Sequence, residues 1–187
     1  MQAVYRILKY LKGTPGKRLF FKKNEERDVK VFSDADWARS VSDRRSTSGY
    51  CSFVWGNLGT WRSKKQTVVA RSSAEAELRS TAHGICEALW LKMLLKELGV
   101  TIESSLKIYC DNKAAIDISH NPVHHDRTKH VEVDRHFIKE KIDEGIISIT
   151  YVPTSDQVAD ILTKGLHKPA FEKFVNKLGM FNLYIPA

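Results

Sequence analysis

The feature that most limits the fold is a long helical stripe over residues 72–98, set between stretches rich in β-forming residues. Leu78, Ala82, Ile85 and Leu89 recur at helical spacing, Leu91, Leu94, Leu95 and Leu98 extend the apolar surface, and Gly99 stops it. Ser72 and Glu75 ahead of it have the spacing of a capping box. A strand that follows so long a helix needs a crossover, so it takes a parallel neighbour. Upstream, apolar or alternating runs at 29–34 and 49–55 and an interrupted third run, 60–62 with 66–70, are separated by turn residues at 43–46 and 56–57. Short turns of this kind join antiparallel neighbours. Downstream come a strand at 106–110, a short helix at 112–119, a loop at 121–127 and a helix at 131–143. A strand at 145–152, helices at 157–164 and 169–178 and an irregular tail follow. The order βββαβαβα predicts an α/β domain with a mixed five-stranded sheet flanked by helices.

At 187 residues and 42% hydrophobic content the chain supports one compact domain with appendages. Its formal net charge of +8 favours an anionic partner, with nucleic acid first among them. Three cysteines, with no C-x-x-C spacing, argue against a disulfide framework and a cysteine zinc site and fit a reducing compartment. No apolar run approaches the length of a membrane span, and no signal-peptide core follows Met1. The first segment reads as an amphipathic helix with Val4, Ile7, Leu8 and Leu11 on one side, ended by Gly13-Thr14-Pro15-Gly16. Residues 18–21 suggest a strand, and 22–27 are charged and read as a linker. The expected boundaries are therefore 1–27, a main domain at 28–167, and a C-terminal helix and tail at 168–187.

Four acids sit where strand ends and first helical turns would aim them at one place: Asp34, Glu77, Asp111 and Asp160. Gathered together they would repel one another and require cations, and carboxylate cages for Mg²⁺ belong to phosphoryl-transfer and nuclease chemistry. Each has a plainer reading. Asp34 could begin a turn, a role better suited to Asp36. Glu75 already has the capping role, which leaves Glu77, on another face of the helix, for the site. Asp111 lies at a strand end, where open α/β sheets place ligands, yet it or Asn112 could cap the next helix. Asp160 follows a second apparent capping box, Thr154 to Gln157, and alone would be a surface acid. Trp37 reads as hairpin packing.

The histidines His120, His124, His125, His130 and His136 have no cysteine pair and no H-E-x-x-H beside them, so they read as loop, helix-face or phosphate-facing residues. Phosphate-loop, dinucleotide and nucleophile-elbow motifs are absent. Arg44-Arg45, Lys64-Lys65 and Arg127 with Lys129 form basic clusters suited to phosphate contacts beside an acidic metal site.

The strand order and these acids resemble the ribonuclease H family, with its Asp-Glu-Asp-Asp site. The resemblance is closer to the ribonuclease H domain of copia-type LTR retrotransposon pol polyproteins. It rests on S-D-A-D-W-A at 33–38, D-R-R-S-T-S-G-Y-C at 43–51, S-K-K-Q at 63–66 and A-R-S-S-A-E-A-E at 70–77, followed by Y-C-D-N at 109–112, R-T-K-H at 127–130 and Q-V-A-D-I-L-T-K at 157–164. Residues 4–13 resemble the stretch that closes the reverse-transcriptase region.

The resemblance implies that Asp34, Glu77, Asp111 and Asp160 bind two Mg²⁺ ions, with Mn²⁺ as a substitute, and cleave the RNA strand of an RNA/DNA hybrid during reverse transcription. It also implies the reverse-transcriptase domain of the same polyprotein as partner and a cytoplasmic retrotransposon particle as setting. The basic clusters beside the acids make Arg45, Lys64, Lys65, Arg127 and Lys129, with Asn112, the expected contacts to the hybrid backbone. Oligomeric state is left open. Two features depart from the wider family. No histidine-bearing loop precedes Asp160, and Arg39 stands where the copia-type branch more often has a small residue. A decayed copy acting as a hybrid-binding module is the alternative. Integrase-like strand transfer is disfavoured because the Glu lies on the first long helix.

Overall fold

The computed structural model describes residues 1–120 and 131–184. The chain runs α1 (Gln2–Gly13), β1 (Lys17–Leu19), β2 (Val29–Asp36), β3 (Thr47–Val54), β4 (Asn57–Lys65), α2 (Ser73–Glu97), β5 (Leu106–Cys110) and α3 (Lys113–His120). It continues with α4 (Glu132–Asp143), β6 (Ile147–Tyr151), a 3₁₀ turn (Thr154–Asp156), α5 (Asp160–Thr163), α6 (Lys168–Lys177) and β7 (Met180–Asn182). The main sheet has five strands in the order β4-β3-β2-β5-β6. β2, β3 and β4 are antiparallel neighbours, while β5 runs parallel to both β2 and β6. This is the mixed sheet that the long helix demanded, since α2 carries the chain from the edge strand β4 to the far side of β2.

Helix α2 and α4 pack on one face of the sheet. Val31, Leu78, Ile85, Ile108 and Ile138 are fully buried there, each contributing about 1.5–3 kcal/mol of burial. Gly84 lets α2 settle close to β2, because a Cβ there would lie 3.1 Å from Val31 Cγ1. A second cluster, Cys51, Phe53, Leu58, Val158 and Leu178, fills the opposite face.

Several details differ from the reading of the sequence. β4 is one continuous strand over Asn57–Lys65, with a bulge opposite Ser52 and Phe53. Residues 66–70 leave the sheet because Gln66 turns inward, where its Nε2 donates to Ser48 Oγ and the Ala76 carbonyl. Met180–Asn182, expected to be irregular, forms β7 and pairs antiparallel with β1. The charged 22–27 stretch is tied to the β3–β4 turn: Lys22 N–H donates to Asn57 Oδ1, Asn24 donates to the Trp55 carbonyl and Arg27 lies over the Trp55 ring.

Candidate active site

Strand register brings the first two acids together. The β2–β5 pairing includes Phe32 opposite Tyr109, and two residues further along each chain come Asp34 and Asp111. Asp34 is also in register with Gly49 on β3. That glycine has a steric reason. A Cβ on Gly49 would stand 2.7 Å from Thr163 Cγ2 and 2.9 Å from Leu162 Cβ, so only glycine lets α5 rest against the sheet. Asp160, the first residue of α5, is thereby set beside Asp34. Glu77 comes from the first turns of α2, and its Oε1 accepts the Ala35 N–H at 3.1 Å.

Asp34, Glu77 and Asp111 each offer one carboxylate oxygen, and these atoms lie within 4.8 Å of one another. Asp160 joins them through Lys164, whose Nζ is 3.4 Å from Asp34 Oδ1 and 3.0 Å from Asp160 Oδ1. Asp34, Glu77 and Asp160 are buried, and Asp111 is partly exposed at the mouth. Thr154 donates to Asp111 Oδ2 at 2.7 Å, and the Thr163 hydroxyl donates to Asp34 Oδ2.

Burial raises the pKa of Asp34, and the nearby Asp111 adds to the rise despite Lys164 and Thr163. Burial, reinforced by Asp34, holds Glu77 well above the usual carboxylate range. Asp160 is pushed up to about 7, by burial first and then by Asp34. Acids gathered at this cost need either protons or a counter-charge to relieve their repulsion. The donors suit a hard divalent cation, since every one is a carboxylate oxygen. Glu77 Oε2 is buried with no hydrogen-bond partner, an acceptor left for a ligand. The residues therefore fit Mg²⁺.

Glu75 sits apart in the capping role. Ser72 Oγ accepts its N–H, its Oε2 accepts the Arg71 N–H at 2.8 Å, and its Oε1 pairs with Arg79. Asp36 is held by Arg39 at 3.2 Å. Asn112 Oδ1 accepts the Ala115 N–H, so Asn112 caps α3 and Asp111 stays free for the cluster. Arg45 and Lys65 both pair with Asp43. Lys64 stands opposite Ser48, which in turn faces Ala35, one row from Asp34 and Gly49. With Arg62 and His83 it lines a cleft of about 200 Å³. Trp37 donates from its indole N–H to the Ala70 carbonyl. Arg127 and Lys129, with His124, His125 and His130, lie outside the described residues.

The second capping box does not form. Thr154 spends its hydroxyl on Asp111, and Gln157 Nε2 donates to the Ser33 carbonyl, so the helix begins only at Asp160 and lasts four residues. Lys164, Thr163 and Thr154 were not foreseen as site residues. The i, i+4 spacing of Asp160 and Lys164 was the available signal.

No family model matches the chain. It is 44% identical over 180 residues to the retrovirus-related Pol polyprotein from transposon RE1 of Arabidopsis thaliana, a match covering 96% of this chain and 12% of that protein. It is 37% identical over 179 residues to the Pol polyprotein from transposon TNT 1-94 of Nicotiana tabacum, covering 96% of this chain and 13% of that one. Among solved structures, the N-terminal RNase H domain of a Mycobacterium tuberculosis protein superposes with a TM-score of 0.52 at 14% identity, over 81% of this chain and 98% of that chain. The chain is a relative of copia-type retrotransposon Pol polyproteins with a ribonuclease H fold. A second ribonuclease H structure, LC11-RNase H1 in complex with an RNA/DNA hybrid, gives a TM-score of 0.52 at 12% identity, over 73% and 94% of the two chains. The chain thus spans about an eighth of the Pol polyproteins it resembles. Among the described residues, no helix is long and apolar enough to cross a membrane.

Proposed function

We propose that this segment is a metal-dependent endonuclease that hydrolyses the RNA strand of RNA/DNA hybrids, serving reverse transcription within a Pol polyprotein. The carboxylate cluster carries this reading: Asp34, Glu77 and Asp111 bring carboxylate oxygens within 4.8 Å of one another, and Glu77 Oε2 is buried without a hydrogen-bond partner. Asp34, Glu77, Asp111 and Asp160 would hold Mg²⁺, with Mn²⁺ as a substitute. Bound there, two divalent cations would supply Lewis-acid chemistry to the scissile phosphodiester.

The chain's own groups position the reaction. The Ala35 N–H fixes Glu77, the Thr163 hydroxyl fixes Asp34, and the Thr154 hydroxyl orients Asp111 at the open side. Lys64, in the sheet row beside Asp34, would meet the hybrid backbone, with Arg45 and Lys65 further along the β3–β4 hairpin and Arg127 and Lys129 as further contacts. Such contacts read the shape, phosphates and 2′-hydroxyls of the hybrid and little of its sequence. Asn112 would contribute only through its amide NH₂, since its Oδ1 is engaged in capping.

The test is cleavage of end-labelled hybrid, single-stranded RNA and duplex DNA, with Mg²⁺ and with EDTA. Cleavage of the hybrid alone, lost in EDTA, is expected. Tight hybrid binding without cleavage at any cation concentration would overturn the enzymatic reading in favour of a binding module. Hybrid affinity should also fall with salt, and less steeply once Lys64 and Lys65 are neutralised. An unchanged slope would place the binding face elsewhere.

A further inference from the structure

Lys164 is the cation that the site already owns. It follows Asp160 by one helical turn, and α5 is held against the sheet where Gly49 leaves room, so its ammonium is aimed inward. The group lies within ion-pair distance of both Asp34 and Asp160, from the residue that caps the short helix Asp160 begins. About a quarter of its side chain remains exposed, which leaves the long stem a way out toward solvent. Lys30 and Lys107 also pair with a buried acid, Asp28, but it lies outside the carboxylate cluster. Lys65, Lys139 and Lys141 pair with exposed or half-exposed carboxylates at the surface, where an ion pair is worth little.

We infer that Lys164 is an internal counter-ion that holds the carboxylate cluster together in the absence of metal and competes with a divalent cation for Asp34 and Asp160. The inference rests on the reading of this cluster as a cation site. Its physical basis is exclusion and charge. An ammonium and a divalent ion cannot both contact the same oxygens of Asp34, and each lowers the electrostatic reward for the other. Cation binding would therefore free the Lys164 ammonium, which its flexible stem can carry to the mouth of the site. Lys164 is thus a positioning residue whose presence sets how much cation the site requires.

The experiment measures Mn²⁺ binding by isothermal titration and by electron paramagnetic resonance in the full chain, without nucleic acid. It compares the wild-type protein, Lys164→Met, Lys164→Arg and the surface control Lys168→Met, together with the metal-free melting temperature of each. Lys164→Met keeps the length and removes the charge. It should lower the Kd for Mn²⁺ on the order of tenfold and lower the metal-free melting temperature, widening the interval that Mn²⁺ restores. Lys164→Arg should keep the wild-type Kd, and Lys168→Met should change neither quantity.

An equal Kd in wild type and Lys164→Met would overturn the inference while leaving the cation site standing. An equal drop in Kd for Lys168→Met would also overturn it, by reducing the effect to net charge. Absence of Mn²⁺ binding in wild type and Lys164→Met alike would overturn both this inference and the cation site beneath it.

Discussion

Helix α2 buries Leu78, Ile85, Leu91 and Leu95 against the sheet, whereas α1, with an apolar stripe just as clear, buries nothing. Ile7 and Leu8 of α1 are 59% and 55% exposed, while Tyr10 makes an edge-on contact with Phe171. Periodicity states that a helix needs a covering surface, and it is silent on which polypeptide supplies it. For α2 the surface is the sheet, and burial there is deep enough to enclose Glu75, Glu77, Ser80 and Thr81 as well. Those polar residues had to find partners or become a site.

The sharpest test of the comparison is Glu77→Gln. Hybrid cleavage should fall on the order of 10³-fold or more, because the substitution removes a charge from the carboxylate cage. Glu75→Gln, on the same helix, should lower stability by about 1–3 kcal/mol through its cap and Arg79 pair and leave cleavage within about tenfold. Comparable losses of cleavage in the two variants would break the division of labour along α2.

Core truncation should separate the two helices next. Ile85→Ala in α2 should cost about 2–5 kcal/mol in urea unfolding. Leu8→Ala in α1 should stay within about 0.5 kcal/mol. A large loss at Leu8 would show that α1 has found a covering surface in solution.

Acidity provides a third test. Asp160 has its carboxyl raised in the folded state to about 7 from an ordinary value of 3.8, and Asp34 and Glu77 are raised as well. The folded protein therefore holds protons that the unfolded chain releases across this window. Stability of the metal-free protein should be greatest at the acidic end and fall as pH rises from about 4 to about 7. Mg²⁺ should flatten the upper part of that fall. A metal-free melting temperature that climbs over the same window would contradict the buried cluster.

The smallest effect should come from trimming the N-terminus. Removal of residues 1–13 should leave the unfolding midpoint unchanged, while removal of 1–27 also strips β1 from β7 and should lower it measurably. We propose that the structural boundary lies nearer Thr14 than Asp28, given the β1–β7 pairing and the contacts of Lys22 and Asn24 with the β3–β4 turn. Equal midpoints for the two truncations would restore the boundary at 28.

Where local pattern and tertiary environment agree, the sequence was readable. Strands β2 and β5, the crossover helix and the separation of Glu75 from Glu77 follow from alternation, spacing and cap chemistry. The failures occurred where a residue had a distant competitor for its local bond. Thr154 and Gln157 have capping spacing, but Asp111 and the Ser33 carbonyl take their side chains. Three residues at each end of the chain carry too little pattern to announce a pairing across more than 160 positions. An i, i+4 acid–base pair such as Asp160 and Lys164 normally lies in solvent, so its spacing alone does not mark a site residue; the close approach of α5 at Gly49 brings this one to the cluster.

The pairing of Lys17 with Asn182, extended by the hydrogen bond from Leu183 N–H to the Gly16 carbonyl, makes the chain enter and leave the domain through the same doorway. A unit built so behaves as a cassette. It can be carried within a longer polypeptide as a side branch, because the flanking segments meet at adjacent backbone positions whatever the size of the fold between them. Tension or motion passed along such a polypeptide would load the two-stranded ribbon before it reached the five-stranded sheet and its acids.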